Sequence, residues 1–264
     1  MAANGQLTVA AILVAAGSGQ RLGAGVPKAL VEVAGRTLVA RANARFADHP
    51  AVRDVVVVGP AAHLDQVAAQ ASGARVVPGG AVRAESVCRG LDALAPDVDA
   101  VLVHDVARPF VPSSVIDRVV GALAGGAVAV VPVVAVTDTI KRVESDAVIA
   151  TVARESLRGA QTPQGFRRAV LAAAYDRARA NDALSTVTDD ASVLEAAGHR
   201  VVVVAGDSRA LKITTRWDLQ VAALLAAADD GGGSTGHLAD SEARHEAPSD
   251  ARSDARGDVD EVWR

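Results

Sequence analysis

Val9-Ala10-Ala11-Ile12-Leu13-Val14-Ala15 is an unbroken apolar run that passes straight into Ala16-Gly17-Ser18-Gly19-Gln20-Arg21-Leu22-Gly23, and this join decides the fold. A strand that is apolar at every position, and not only at alternate ones, is covered on both faces, as in parallel sheets flanked by helices. Short apolar strands of this kind return at Val55–Val58, Arg75–Val77, Ala100–His104, Ala127–Val134 and Val201–Ala205. Between and after them lie helical patterns, at about Thr37–Phe46, Ala61–Ala71, Ala84–Leu94, Ser113–Leu123, Arg167–Asn181, Asp189–Ala197 and Arg216–Ala227. Strands alternating with helices predict an α/β fold with a doubly wound, mostly parallel sheet, and ligands then belong beyond the carboxyl ends of the strands.

The rhythm breaks at Thr137–Val152. Thr139–Val143 and Val148–Val152 read as two short strands joined by the polar turn Glu144-Ser145-Asp146-Ala147. A lone two-stranded hairpin is marginal in water, so this arm is expected to pack on something else, a second subunit being the natural partner. A short extended piece is expected around Lys212–Thr214. From Asp229 onward the composition turns to Gly, Ser, Asp, Arg and Ala with almost no large apolar residue, which is the signature of disorder. The expected organisation is one domain over 1–228 and an acidic low-complexity tail over 229–264.

Half of the 264 residues are hydrophobic, enough for one sizeable core. There is no apolar run of membrane-spanning length and no cationic start leading into an apolar segment, so the expectation is a cytoplasmic protein with no membrane partner. The one cysteine, Cys88, excludes an internal disulfide and a multi-cysteine zinc site, and its place in an apolar-periodic run makes it a core residue. Residues 229–264 hold ten acidic and four basic side chains, so of the overall −4 the body carries about +2. That weak positive balance suits a small polyanion. With aromatics at 2%, it does not suit nucleic acid, which asks for a basic stripe and stacking platforms. Of the 27 cationic side chains only Lys28, Lys141 and Lys212 are lysine. Where lysine persists against so much arginine, a compact ammonium has a use that a planar guanidinium does not meet.

The glycine-rich turn after the first strand lets backbone N–H groups approach phosphate oxygens closely. It is not a dinucleotide fingerprint, because Leu22 stands where a third glycine is required and Gly59-Pro60 where the second strand should end in an acid. No Gly-Lys-Ser or Gly-Lys-Thr follows, so a Walker loop is excluded as well. Arg21 and then Pro27-Lys28 follow instead, two cations close to the turn, set against the competing reading of a solvated loop with two surface charges. Ala100–His104 runs into Asp105-Val106-Ala107-Arg108-Pro109, which puts an acid and a cation at the ligand edge of the sheet. A carboxylate there can hold Mg2+ or a hydroxyl. The alternatives are that Asp105 caps the next turn and that His104 is a satisfied core histidine.

Taken in order, these pieces resemble the 2-C-methyl-D-erythritol 4-phosphate cytidylyltransferases of the non-mevalonate isoprenoid pathway, within the nucleotidyltransferase, Rossmann-like fold. The resemblance spans about residues 8–227. It rests on the turn with Pro27-Lys28, on Gly79-Gly80 with Arg83 and Ser86-Val87, and on His104 through Pro109. Further on it rests on Asp138-Thr139-Ile140-Lys141, on Arg154 with Gln161-Thr162-Pro163-Gln164, on Thr188-Asp189-Asp190-Ala191 and on Leu211-Lys212-Ile213-Thr214. Two positions depart from the common pattern: Ala81 stands where many relatives carry an acid, and Val106 where alanine is usual.

The resemblance implies an enzyme that moves CMP from CTP onto the phosphate of a small polyol phosphate, 2-C-methyl-D-erythritol 4-phosphate, with Mg2+ held mainly by the CTP phosphates and Asp105 as its one protein contact. It implies that Arg21 and Lys28 neutralise the triphosphate, and that Arg154 and Lys212 hold the attacking phosphate. Asp105, Arg108, Thr139 and Thr162 would complete the acceptor pocket. Gly80, Ser86, Ala107, Gly19 and the backbone of Ala15, Ala16 and Gly17 would surround the nucleotide. It also implies an arm-exchanged homodimer. The rival acceptor is another polyol phosphate such as ribitol 5-phosphate. A rival of another class, a non-catalytic nucleotide-binding regulator, has no need of both cation pairs. Of the rest, Thr188-Asp189-Asp190 reads as a helix N-cap, Lys141 as an arm residue in a salt bridge or at a ligand, Trp217 as packing and Trp263 as solvated tail.

Overall fold

The computed structural model describes residues 7–17, 19 and 25–229, with the backbone of the last helix continuing to Gly231. The first strand, β1 (Val9–Val14), is followed by a 3-10 turn at Lys28–Leu30 and a small antiparallel pair, β2 (Glu32–Val33) and β3 (Arg36–Thr37). Then come α1 (Leu38–Ala47), β4 (Val52–Gly59), α2 (Leu64–Gln70), β5 (Arg75–Pro78), α3 (Arg83–Asp92), β6 (Ala100–Asp105), α4 (Ser113–Ala124) and β7 (Ala129–Ala135). The arm is β8 (Ile140–Glu144) and β9 (Ala147–Val152). After it follow β10 (Arg158–Ala160), β11 (Gln164–Arg167), α5 (Arg168–Ala180), α6 (Asp190–Ala196), β12 (Val201–Ala205) and α7 (Arg216–Gly231).

The main sheet runs β5-β4-β1-β6-β11-β7-β10, with β12 parallel to β7. It is mixed: β11 enters antiparallel between β6 and β7, and β10 is antiparallel to β7. Neither strand was read from the sequence. Register is what builds the ligand edge. β1 sets Val14 beside Asp105 on one side and beside Val58 on the other, and β4 sets Gly59 beside Pro78. The loops leaving β1, β5 and β6 are thereby brought to the same edge. Because β11 runs the other way, the residues before it come down to the end of β6, with Gln164 beside Val103.

Successive side chains of β1 serve opposite faces. Val9, Ala11 and Leu13 pack with Ala42 and Phe46 of α1 and with Ile116 and Val119 of α4. Ala10 and Ile12 pack with Val87 and Leu91 of α3 and with Leu171 and Tyr175 of α5. Cys88 is buried in that second cluster, as its apolar setting predicts. A third cluster joins Val31, Val33, Leu38, Phe110 and Ile213 to Ala222 and Ala226 of α7. It anchors the segment that carries Lys212, which is irregular and not a strand, through Ile213 and the 2.8 Å bond from the Ile213 N–H to the Ala107 carbonyl.

Two expectations need correction here. Trp217 is 70% exposed and not packed, because α7 turns Ala222 and Ala226 inward and leaves the Trp217 and Leu224 face in solvent. The helix also continues past Ala227 to Gly231, and Asp229 pairs with Arg45, so the first residues assigned to the tail belong to α7. The remainder of the proposed tail, with Trp263, lies outside the described residues, as do Ser18, Gln20 and Arg21 of the glycine-rich turn.

Candidate active site at the carboxyl edge of the sheet

A cleft of about 360 Å³ opens at the edge where β1, β5 and β6 end. Its walls are Val14 to Gly17, Lys28, Gly80 to Arg83, Ser86, Asp105 to Ala107 and Lys212. Its floor is held by backbone bonds: the Ala15 N–H donates to the Val58 carbonyl at 2.8 Å, and the Gly79 N–H to the Gly59 carbonyl at 2.8 Å. A side chain at Gly79 would place its Cβ 2.4 Å from that of Ala16, so only glycine lets these two loops touch. Gly19 has φ +66° and lies so close to Lys28 that a Cβ would come within 2.9 Å of the lysine Cβ. Glycine there seats the Lys28 stem against the turn. Lys28 itself lies in the 3-10 turn entered from Pro27, whose fixed φ directs the chain back to the cleft.

On the α3 side, the Ser86 hydroxyl accepts from the Gly80 N–H at 3.1 Å, and Glu85 accepts from the Ala81 N–H at 2.8 Å. Glu85 thus supports the loop at the position where an acid is absent from the sequence. Val106 is buried in the first core cluster, so its additional volume lies against packed core at the cleft wall.

Asp105 is the electrostatic centre of the cleft. Its Oδ2 accepts from Lys212 Nζ at 2.6 Å and its Oδ1 from Arg83 Nε at 3.2 Å. Burial works against the carboxylate, but Arg83 and Lys212 outweigh it and hold the group well below the usual carboxylate range. Arg83 in turn donates from Nη2 to Asp190 at 2.7 Å. Burial alone would lower the Arg83 pKa, and Asp190 with Asp105 raises it above its ordinary value.

His104 is a satisfied core residue. It is fully buried, tilted against the Phe46 ring at 4.7 Å, with Nε2 at 3.1 Å from the Arg108 carbonyl and Nδ1 at 3.0 Å from the Thr162 hydroxyl. Thr162 does not line the cleft but accepts from the Asp105 N–H at 3.2 Å. Arg108 bonds the Ala210 and Ala160 carbonyls at 2.7 and 3.3 Å. Burial pushes its pKa down against the pull of Asp105. Both residues brace the Asp105 loop from outside the cleft.

Arg154 and Thr139 are not brought to the cleft of their own chain. Arg154 is exposed at the base of the arm and donates to the Thr137 carbonyl. Lys141, read as an arm residue in a salt bridge or at a ligand, donates across the arm to the Thr151 hydroxyl at 2.7 Å. Asp189 is the N-cap of α6, accepting from the Ser192 N–H at 3.0 Å. Arg83 and Asp190 are the residues that sequence reasoning did not place in the site. One signal was there: a cap uses a single aspartate, and a second one at the head of the apolar run Ala191, Val193, Leu194 has no solvent to face.

Among the described residues no group of three or more His, Cys, Asp or Glu side chains is placed to hold a metal. Both Asp105 oxygens are engaged by cations, so this donor set does not fit a resident Mg2+ held by the protein alone. A larger cavity of about 460 Å³ lies at α1 and α4, but its Arg36, Arg41 and Arg45 are balanced by Asp48, Asp117 and Asp229, and no glycine-rich backbone among the described residues faces it.

The pattern of the family described as 2-C-methyl-D-erythritol 4-phosphate cytidylyltransferase matches residues 9–227. The enzyme of that name from Saccharopolyspora erythraea is 50% identical over 224 residues, covering 82% of this chain and 98% of that protein. A "Bifunctional enzyme IspD/IspF" of Clavibacter michiganensis is 49% identical over 232 residues; the match takes in 84% of this chain and 55% of that longer protein. Among solved structures, the 2-C-methyl-D-erythritol 4-phosphate cytidylyltransferase of Thermus thermophilus superposes with a TM-score of 0.69 at 38% identity, over 81% of this chain and 97% of that one.

Proposed function

We infer that the cleft at the carboxyl edge of the sheet is where this chain, which belongs to the 2-C-methyl-D-erythritol 4-phosphate cytidylyltransferase family, transfers CMP from CTP to 2-C-methyl-D-erythritol 4-phosphate. The products are 4-diphosphocytidyl-2-C-methyl-D-erythritol and pyrophosphate, and the step belongs to isoprenoid precursor synthesis. An acceptor phosphate oxygen attacks the α-phosphorus of CTP. The new P–O bond forms as the bond to the bridging oxygen of the β-phosphate breaks, and pyrophosphate carries away the electron pair. The attacking oxygen is already ionised at neutral pH, so no general base is needed.

The observation that carries the reading is the convergence of Lys28 and Lys212 on one cleft with glycine-rich backbone between them. The reaction brings two anions together, and fixed cations aimed at the phosphates lower that barrier more than any other device. Lys28, with Arg21, neutralises the triphosphate. Lys212 keeps one N–H on Asp105 Oδ2 and turns its remaining donors to the acceptor phosphate when it arrives. Gly80, Ser86 and the backbone from Ala15 to Gly17 hold cytosine and ribose, and Gly19 and Ala107 shape the walls. Asp105, braced by Arg108 and Thr162, faces the acceptor. Mg2+ held by the CTP phosphates would screen their charge there, with no residue of this chain required to hold it alone.

The acceptor half is completed by a second copy of the chain. Val143, Val148 and Ile149 are exposed on the arm, and among the described residues β8 and β9 pair only with each other. Such edges favour an identical arm. In the resulting homodimer, Arg154 and Thr139 enter the partner's acceptor pocket. No helix among the described residues is long and apolar enough to cross a membrane.

The test is purified protein with CTP, Mg2+ and each of 2-C-methyl-D-erythritol 4-phosphate and ribitol 5-phosphate, following pyrophosphate. Release with the first acceptor alone is expected. Preference for ribitol 5-phosphate would overturn the acceptor assignment, and nucleotide binding without pyrophosphate would overturn the transfer.

A further inference from the structure

Asp190 is an ionisable side chain at 0% exposure, and its helix does not need it. The α6 cap is Asp189, which also accepts from Gln164 Nε2 at 2.7 Å. The Asp190 carboxylate turns inward instead. Its Oδ1 accepts from the Tyr175 hydroxyl at 2.6 Å and its Oδ2 from Arg83 Nη2 at 2.7 Å. It sits beside Tyr175, Val193 and Leu194 of the second core cluster, a setting that a hydrophobic residue would fill at lower cost, since a buried ion pair is weak evidence for stability. Arg83 is just as odd as a structural residue. It commits Nη2 to Asp190 and Nε to Asp105, while its Nη1 is buried without a partner.

Five side chains joined by four contacts form one line into the cleft: Tyr175 to Asp190, Asp190 to Arg83, Arg83 to Asp105, and Asp105 to Lys212. A guanidinium is a rigid fork. Held by Asp190 on one arm, it reaches only Oδ1 of Asp105, which leaves Oδ2 for Lys212 at 2.6 Å. Released from Asp190, the fork is free to take both Asp105 oxygens in parallel and displace the lysine.

We infer that Asp190 is a positioning residue for the transfer: by pinning Arg83 it fixes the Asp105 carboxylate, and so sets the Lys212 ammonium where the acceptor phosphate is received. This rests on the reading of Lys212 as an acceptor-phosphate cation. Asp190 touches no substrate, and its effect is relayed by Arg83 and Asp105 to Lys212.

The experiment is a double-mutant cycle in the full chain: Asp190→Asn, Lys212→Ala and both together, each measured for kcat and for the KM of CTP and of the acceptor. Asp190→Asn keeps the shape and removes the charge that pins Arg83. Alone it is expected to lower kcat about tenfold and raise the acceptor KM, because a misplacement of less than an ångström is costly at a reacting centre. On the Lys212→Ala background it should cost less than about twofold, since groups that act as a unit are not additive. A full, additive loss on that background would overturn the inference and leave the reading of Lys212 intact. Near-normal turnover of Lys212→Ala itself would overturn that reading first, and the two failures are therefore distinct. If Asp190→Asn does not fold, Arg83→Lys enters the same cycle, because a compact ammonium lacks the rigid fork that fixes Asp105 from Asp190; additivity there overturns the inference equally.

Discussion

Acidification should weaken this protein through one side chain, His104, ahead of its carboxylates. The ring lies wholly inside the fold with both nitrogens engaged. Nε2 faces a carbonyl and must carry the proton, so Nδ1 is the acceptor for the Thr162 hydroxyl, whose oxygen accepts in turn from the Asp105 N–H. A second proton on Nδ1 would turn two donors against each other. Burial pushes the imidazole down from its ordinary 6.5 to about 4, although Asp105 pulls the other way. Between those values the unfolded chain binds a proton that the folded one refuses, so stability rises with pH across the window. The contribution is complete above about pH 6.5 and lost as pH falls through about 4; the gap corresponds to about 3 kcal/mol. Urea unfolding of the parent and of His104→Gln, from about pH 7 to about pH 4, isolates the histidine's share, because all other groups are common to both. The stability difference between parent and variant should shrink by about 3 kcal/mol toward the acid end. A difference constant to within about 1 kcal/mol would refute the reasoning.

Three further outcomes are expected. Lys28→Ala should lower turnover about 10²–10³-fold with little change in melting temperature, the usual cost of one preorganised electrostatic contact; near-normal turnover would remove Lys28 from its assigned role. Gly19→Ala forces a Cβ to within 2.9 Å of Lys28 in a left-handed backbone, so kcat should fall while far-UV circular dichroism stays that of the parent, and an unchanged kcat would show that the turn does not seat the lysine. Mixing Arg154→Ala with Lys28→Ala subunits, each inactive alone, should restore about half the parent's activity per heterodimer, one intact site in two; no recovery despite verified subunit exchange would return Arg154 to its own chain.

The elements that fold by pattern were legible. β1, β4 and β6 are apolar runs of a length only a covered strand explains, and the helices between them repeat at helical spacing. What was missed lacks that pattern. β10 is Arg158-Gly159-Ala160 and β11 is Gln164-Gly165-Phe166-Arg167, short, with a glycine in each and a polar residue at one end or both, so neither carries a β signal of its own. They are strands because β7 and β6 offer free edges, and Gly165 admits Val119 and Leu123 of α4 where a Cβ would come within 2.4 Å of Val119. Trp217 misled for the opposite reason. A large apolar side chain reads as core wherever it stands, but the rotation of α7 is set by Ala222 and Ala226 against Ile213, which a composition argument underweights.

The site divides along the same line. Residues at the ends of strands, from Ala15 to Gly17, Gly80 and Asp105, could be placed because parallel register carries strand ends to one edge whatever their separation in sequence. Lys28 and Lys212 stood out because lysine is scarce in this chain. Asp190 had neither advantage, being 107 residues from Arg83 and next to a cap residue that explained its type away. Capping explains only one acid, however. With Asp189 bonded to the Ser192 N–H, Asp190 is left at 0% exposure on the buried side of a helix of seven residues. A carboxylate so placed costs free energy unless hydrogen-bonding or charged partners meet it. Arg83, already singled out in the glycine-glycine motif, is the cation it meets. The acid that seemed redundant at the head of α6 is therefore the one that joins the helix layer to the reacting edge of the sheet.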